Sequence, residues 1–401
     1  MMFPSSALLS LLLVAVSIVS ATPVRREPAT LSFVAKVNAS GTSNLAEIDR
    51  ARAQSLLQSV TKGKRDGTVS ATTDGVSYTA SIGVGTPPTQ YTLLIDTGSS
   101  NTWVGAAAKY TPTSSSKDTG NTVSVSYGSG SFSGKEYIDT VTLSSSLVIK
   151  SQSIGVATNA TGFSGVDGIL GVGPVDLTSG TVSNTDTVPT VTDNLFSAGT
   201  ITSDVLGIFF SPAAASDSTG ELTFGGTDSS KYTGSINYIP ITSTSPASEY
   251  WGIDQSITYG STSILSSTSG IVDTGTTLTL IASDAFSTYQ TATGGVMDNA
   301  TGLLKITSAQ YSALKPLDFN IGGNTYTLSP NAQIWPRSLN SDIGGDSSSI
   351  YLIVSNLGTK SGGGLDFING YTFLQRFYSV FDTGNSRVGL ATTSHTNDSS
   401  N

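Results

Sequence analysis

Two short segments of the 401-residue chain repeat one order of residue types: Leu93-Leu94-Ile95-Asp96-Thr97-Gly98-Ser99-Ser100 and Gly270-Ile271-Val272-Asp273-Thr274-Gly275-Thr276-Thr277. In each, an apolar run leads straight into an acid, a threonine, a glycine and two hydroxyls. The aspartates lie 177 residues apart, the scale of a duplicated lobe rather than of a solenoid repeat. Two carboxylates brought within hydrogen-bond distance cannot both ionise cheaply, so they share a proton and their apparent pKa values separate. One site then holds an acid and a base. The ionised member takes a proton from a water held between the pair as that water attacks a carbonyl carbon, and the protonated member hydrogen-bonds the carbonyl oxygen. No metal, cofactor or covalent intermediate is required.

Each acid needs a buried strand to deliver it to a cleft floor and a glycine, Gly98 or Gly275, that lets the backbone turn and approach its twin. Thr97 and Thr274 are placed to bond across the pair, and Ser99 and Thr276 to donate to the outer carboxylate oxygens. Strand-like runs recur, among them Val123 to Tyr127, Tyr137 to Leu143, Val205 to Phe210 and Ser349 to Val354, with turn residues close by, while long helical periodicity is scarce. A lone Asp-Thr-Gly would read as a hairpin end. That is the reading for a third copy, Asp382-Thr383-Gly384, which lacks the hydroxyl and runs into Asn385-Ser386-Arg387. Val125-Ser126-Tyr127-Gly128-Ser129-Gly130-Ser131 reads as a strand entering a glycine-rich turn with an aromatic placed to cover a cleft; by itself it reads as an ordinary hairpin, and between two Asp motifs as a flap.

The remaining composition narrows the chemistry. There is no Cys, so thiol catalysis and disulfides are excluded. The single His, His395, lies in a polar C-terminal tail and reads as a disordered surface residue, which leaves no Ser-His-Asp triad, Cys-His pair or His-rich zinc site. Charge divides the chain: residues 1–65 hold eight Lys or Arg against three acids, a net +5, and the remainder holds 11 against 25, a net −14. An acidic body argues against nucleic acid and anionic membrane as partners. The apolar run Leu8 to Val19 followed by Ser20-Ala21 reads as a signal peptide over 1–21, the alternative being a membrane anchor, for which the run is short. Lys64-Arg65 ends the basic segment as a processing site would, so 22–65 is expected to be a propeptide; a plain N-terminal extension is the alternative.

The flanks of both motifs resemble the pepsin-like aspartic protease family, and within it the cysteine-free fungal group of polyporopepsin type. Ser99 to Val104 is similar to the family's extension of the first motif, in which the tryptophan, here Trp103, bonds the flap tyrosine. Val125 to Ser131 resembles the flap itself, with Tyr127, Gly128 and Ser129 at its tip. Asp167 to Gly171 resembles the strand threaded beside the first catalytic loop, Leu222 to Gly234 the segment joining the lobes, and Tyr250-Trp251 the start of the second lobe. One departure is Phe367-Ile368-Asn369-Gly370-Tyr371, with Asn369 where the family has an apolar residue and Tyr371 where it has an acid.

The resemblance implies an all-β, bilobal double β-barrel with the cleft between duplicated lobes. The lobes are expected at 66–230 and 231–395, with a polar tail at 396–401. It implies an aspartic endopeptidase with Asp96 and Asp273 catalytic, acting on polypeptides at acid pH as a secreted, extracellular monomer, with the propeptide as intramolecular inhibitor. Asn159 and Asn299 are glycosylation candidates. Two other readings stay open at this point: a two-carboxylate glycoside hydrolase, which needs carboxyls ~5 to 9 Å apart, and a non-catalytic binding relative.

Overall fold

Alternation of inward apolar and outward polar residues turns much of this chain into strands: in Leu317–Ile321, Leu317, Phe319 and Ile321 are buried while Asp318 and Asn320 face outward. The computed structural model describes residues 28–38, 44–61, 75–128, 130–212 and 219–401. The expected signal peptide, Lys64-Arg65 and Ser129 lie outside these residues. The fold is mostly β, with a closed six-stranded barrel and a half-barrel in two lobes, as the resemblance implies.

Three pairings position the site. In the larger sheet, Thr89–Asp96 pairs with Gly75–Val84 on one side and runs parallel to Gly168–Gly171 on the other, with Asp96 opposite Gly171. In the second sheet, Thr262–Val272 is flanked by Gly252–Tyr259 and by Phe367–Asn369, with Val272 opposite Asn369. Only the final residues before each acid, Leu93-Leu94-Ile95 and Gly270-Ile271-Val272, are buried without a break; the outer parts of both strands carry exposed polar residues. The lobes are stitched where the end of the chain returns: Phe377–Asp382 pairs with Val205–Phe210, and Arg387–Thr392 with Thr233–Pro240.

Several expectations need correction. Ser349 to Val354 is not one strand but two short pieces, Ile350–Tyr351 and Val354–Asn356. The scarcity of helix does not extend to the N-terminal segment, where Leu45–Thr61 forms a 17-residue helix. Its neighbour Ala29–Asn38 is a central strand between Thr219–Phe224 and Gly75–Val84. Phe33 from that strand meets Tyr78 and Phe210 edge-on, and Tyr371 packs against the same two rings, so the tyrosine that departs from the family pattern closes an aromatic cluster. His395 is not in a disordered tail. Its Nδ1 pairs with Asp398 at 2.6 Å, its ring lies against Phe209, and Asn401 exchanges hydrogen bonds with Asn331.

Without disulfides, buried carboxylates pin the loops. Asp139 accepts from Tyr110, Ser115 and Ser116 hydroxyls and from the Thr140 N–H, at 2.6 to 2.7 Å. Burial alone would raise its pKa, but these donors outweigh it and hold the carboxyl below the usual value. Asp382, of the third Asp-Thr-Gly, accepts from the N–H and side chain of Asn385 and from Arg387 in a hairpin, as expected.

Glu136 is the opposite case. It is buried, one oxygen takes the Ser153 hydroxyl, the other has no partner, and burial pushes the carboxyl up to about 7 against the Ser153 bond. A raised acid favours the folded state below the unfolded pKa of 4.5, and that contribution is lost as pH rises from there through about 7. Glu136→Gln is therefore expected to be more stable than the parent at pH 8, by a margin on the order of 3 kcal/mol and with a higher melting temperature, and to differ little at pH 4. Melting curves at both pH values check this; parallel loss of stability in the two proteins would assign it elsewhere.

Candidate active site

The two acid-bearing strands meet end to end at the interface of the lobes. Asp96 and Asp273 are fully buried, and each is held by its own motif. Ser99 Oγ donates to Asp96 Oδ2 at 2.6 Å, and Thr276 Oγ1 to Asp273 Oδ2 at 2.6 Å. The Gly98 and Gly275 N–H groups donate to the inner Oδ1 atoms at 2.9 and 3.0 Å. Thr97 and Thr274 interlock as anticipated: each N–H donates to the other's hydroxyl at 3.0 Å, and each hydroxyl donates onward to a carbonyl of the opposite lobe, Val272 or Ile95. The glycines are obligatory. A Cβ on Gly98 would lie 2.6 Å from Asp273 Oδ1, and one on Gly275 2.6 Å from Asp96 Oδ1.

Between the carboxylates lies a residue that the sequence motifs do not predict. Arg52, on the helix Leu45–Thr61, places Nη2 2.6 Å from Asp96 Oδ1 and 2.9 Å from Asp273 Oδ1, and Nε 2.7 Å from Asp273 Oδ2. Burial opposes the guanidinium's charge, but the fields of Asp273 and then Asp96 outweigh it and raise its pKa. Burial likewise tends to raise Asp273, yet the two-point contact with Arg52, with the Thr276 and Gly275 bonds, holds it below the usual range. Asp96, with a single contact to Arg52, is raised by burial and by the charge of Asp273.

The helix is seated by further contacts. Asp49 accepts from the Thr277 and Leu278 N–H groups at 3.2 and 2.6 Å, and burial lifts its carboxyl to about 7 although both bonds oppose this. Arg50 Nε donates to the Asn356 carbonyl, and the Tyr250 hydroxyl to the Leu56 carbonyl.

Above the helix is the expected hairpin, with Lys117–Tyr127 pairing to Gly130–Ser144 and Gly128 at the tip. A Cβ on Gly128 would lie 2.0 Å from the Arg52 Cα, so the tip rests directly on the helix backbone. The space left is a cavity of about 20 Å³, lined among others by Arg52, Leu56, Ser99, Tyr127 and Tyr250, room for little more than a water. The bond from Trp103 to the flap tyrosine is not made: Trp103 Nε1 has no partner, its ring stacks on Phe132 at 4.1 Å, and Tyr127 is 6.5 Å away with the flap tip propped on the helix. Asn159 and Asn299 are exposed. Among the described residues no cluster of His, Cys, Asp or Glu is arranged to hold a metal ion.

Residues 77–393, spanning both aspartate motifs, match the family described as eukaryotic aspartyl protease. The chain belongs to that family. It is 66% identical to polyporopepsin of Irpex lacteus over 339 residues, which are 84% of this chain and 99% of that protein. It is 32% identical to pepsin A of Suncus murinus and to human gastricsin, each over 79% of this chain and 81% of the relative. The crystal structure of the aspartic proteinase from Irpex lacteus superposes with a TM-score of 0.81 at 59% identity, covering 93% of this chain and all of that one. As a member of the family this protein is an aspartic endopeptidase, a hydrolase of peptide bonds, which removes the glycoside hydrolase and the non-catalytic binder from consideration.

Proposed function

We propose that Asp96 and Asp273 are the catalytic dyad of this endopeptidase and that the structure describes its latent form, with residues 22–65 acting as a propeptide. The observation that carries both statements is the position of Arg52 Nη2, within hydrogen-bond distance of both inner carboxylate oxygens at once. A single atom bridges the two acids there, and in the working enzyme that atom is the oxygen of the attacking water. With one proton on the dyad, the ionised carboxylate removes a proton from the water as its oxygen bonds to the scissile carbonyl carbon. The protonated carboxyl donates to the carbonyl oxygen as it gains negative charge. Collapse of the tetrahedral adduct breaks the C–N bond, the proton taken from water passes to the leaving nitrogen, and the dyad is returned to its starting state. Ser99, Thr276 and the two glycine N–H groups hold the carboxylates in place throughout.

The cation explains latency and ties activity to acid. Arg52 stabilises ionised carboxylates, so docking of the helix is strongest where Asp273 is charged and weakens as pH falls through its depressed pKa. Asp49 acts in the other direction: raised to about 7, it favours the docked helix at low pH and disfavours it as pH rises through that value. Release on acidification must therefore come from the dyad and not from the helix's own acid. Secretion behind a signal peptide over 1–21, and glycans on the exposed Asn159 and Asn299, complete the reading.

Hydrolysis of a denatured protein by the processed enzyme at roughly pH 3 to 5, with and without a statine-type transition-state analogue, tests the proposal. The expected result is turnover abolished by the analogue; turnover insensitive to it would reject the dyad.

A further inference from the structure

The strands that flank the two acid-bearing strands can be compared at matched register, and they differ at one buried, hydrogen-bonded pair of side chains. In the first lobe, Leu170 lies opposite Ile95, one residue before Asp96, and Ile82 lies on the neighbouring strand opposite Tyr91; both are fully buried and apolar. Adding the 177-residue offset between the threonines of the two motifs, the second lobe has Asn369 opposite Val272, one residue before Asp273, and Gln255 opposite Thr268. Asn369 and Gln255 are buried as completely as the residues they replace, and their amides pair reciprocally. Asn369 Nδ2 donates to Gln255 Oε1 at 2.8 Å, and Gln255 Nε2 to Asn369 Oδ1 at 3.2 Å. Two polar side chains at sites that are apolar in the first lobe, each satisfying the other, form a directional link between these positions.

That link lies directly behind the acid. The Asn369 carbonyl accepts the Asp273 N–H at 3.2 Å. The residues that follow hold the turn beyond it, with the Tyr371 and Thr372 N–H groups donating to the carbonyls of Thr276 and Thr277 at 2.8 and 2.9 Å. On the other side of the acid-bearing strand, the Val272 N–H donates to the carbonyl of Trp251, which directly precedes the strand Gly252–Tyr259 and lies four residues before Gln255. The amide pair joins the two strands that flank Thr262–Val272, so it fixes the backbone frame from which Asp273 projects.

Resting on the dyad assignment above, we infer that Asn369 and Gln255 are a positioning pair that sets the distance of the Asp273 carboxylate from Asp96. Asn369→Leu removes the link while leaving a side chain of the first lobe's type. In the processed enzyme, kcat falls roughly tenfold with KM within about twofold, because a small displacement of one reacting carboxylate costs chemistry rather than binding. The two limbs of the pH dependence of kcat also move toward each other, since carboxylates further apart couple less. The exchange Asn369→Gln with Gln255→Asn rebuilds an amide pair of the same total length and restores both quantities.

The experiment measures kcat, KM and the pH profile of the processed parent, Asn369→Leu and the exchanged pair, with Asp273→Asn alongside. An unchanged kcat and profile in Asn369→Leu, whatever its melting temperature, overturns the inference. So does a loss that the exchange fails to recover. If Asn369→Leu does not fold, Asn369→Leu with Gln255→Ile imports the whole apolar pair of the first lobe and carries the same readouts, and wild-type behaviour there overturns the inference. Activity in Asp273→Asn equal to the parent would instead reject the dyad assignment on which the inference rests.

Discussion

Replacing Arg52 with alanine in the full-length chain is expected to unlock the enzyme without any cleavage. Among the described residues, Arg52 forms the only ion pairs between the N-terminal segment and the body, those to Asp96 and Asp273. The opposite net charges of the two parts thus act through one guanidinium rather than as a diffuse attraction. Removing one partner of a buried, hydrogen-bonded pair costs about 3 kcal/mol or more, over a hundredfold in the ratio of docked to undocked helix. The alanine variant should therefore cleave a peptide at pH 5 to 6, where the intact precursor is expected to be silent. Asp49, raised to about 7, is already mostly protonated at this pH, and Asp49→Asn keeps one oxygen to accept the shorter Leu278 N–H bond, so it should leave the precursor latent. Activity of the two unprocessed variants and the parent, followed against pH on a chain whose Lys64-Arg65 is replaced to block processing, checks both. Equal latency in Arg52→Ala would show that occlusion by the helix body, not the cation, holds the enzyme off.

Asp96→Asn and Asp273→Asn are each expected to lower kcat of the processed enzyme by at least about a thousandfold while leaving the fold intact, because the two acids act as one unit and either loss removes the shared proton. The amide still accepts from Ser99 or Thr276 through its oxygen, so the melting temperature should change by only a few degrees. The double variant should be scarcely worse than either single one, the mark of residues that act together. A large additive loss in the double variant, or a single variant near parental activity, would contradict the assignment.

The parts of the site legible in the sequence are those whose chemistry demands fixed types in a fixed order. Asp-Thr-Gly followed by a hydroxyl specifies the acid, the cross-lobe interlock, the close approach and the outer donor, and all four contacts occur in both lobes as anticipated. Arg52 and Asp49 were not legible because each contradicts the pattern used to find helices. Among the described residues of Leu45–Thr61, the buried face holds Leu45, Ala46, Asp49, Arg52, Ala53 and Leu56, a helical stripe in which two of six members are charged. Hydropathy reads those charges as interruptions, although they are the positions aimed at a polar cleft. A charged pair three residues apart on an otherwise apolar stripe, in a basic segment expected to be removed, is the signal that would have found them.

Asn369 was visible as a departure, but its partner Gln255 lies 114 residues away and only the pairing of the strands brings the amides together. The tail was misjudged for a similar reason: its polar composition is that of a loose end, while Arg376, wholly buried, donates to the carbonyls of His395 and Asp398 and fastens it.

The account stands on one atom bridging two acids. A high-resolution crystal structure of the enzyme freed of residues 1–65 tests it most directly. The predicted result is a solvent oxygen within hydrogen-bond distance of both Asp96 Oδ1 and Asp273 Oδ1, at the place Arg52 Nη2 holds in the latent form, beneath an open groove. Carboxylates that have drawn apart so that no single solvent molecule reaches both would contradict it.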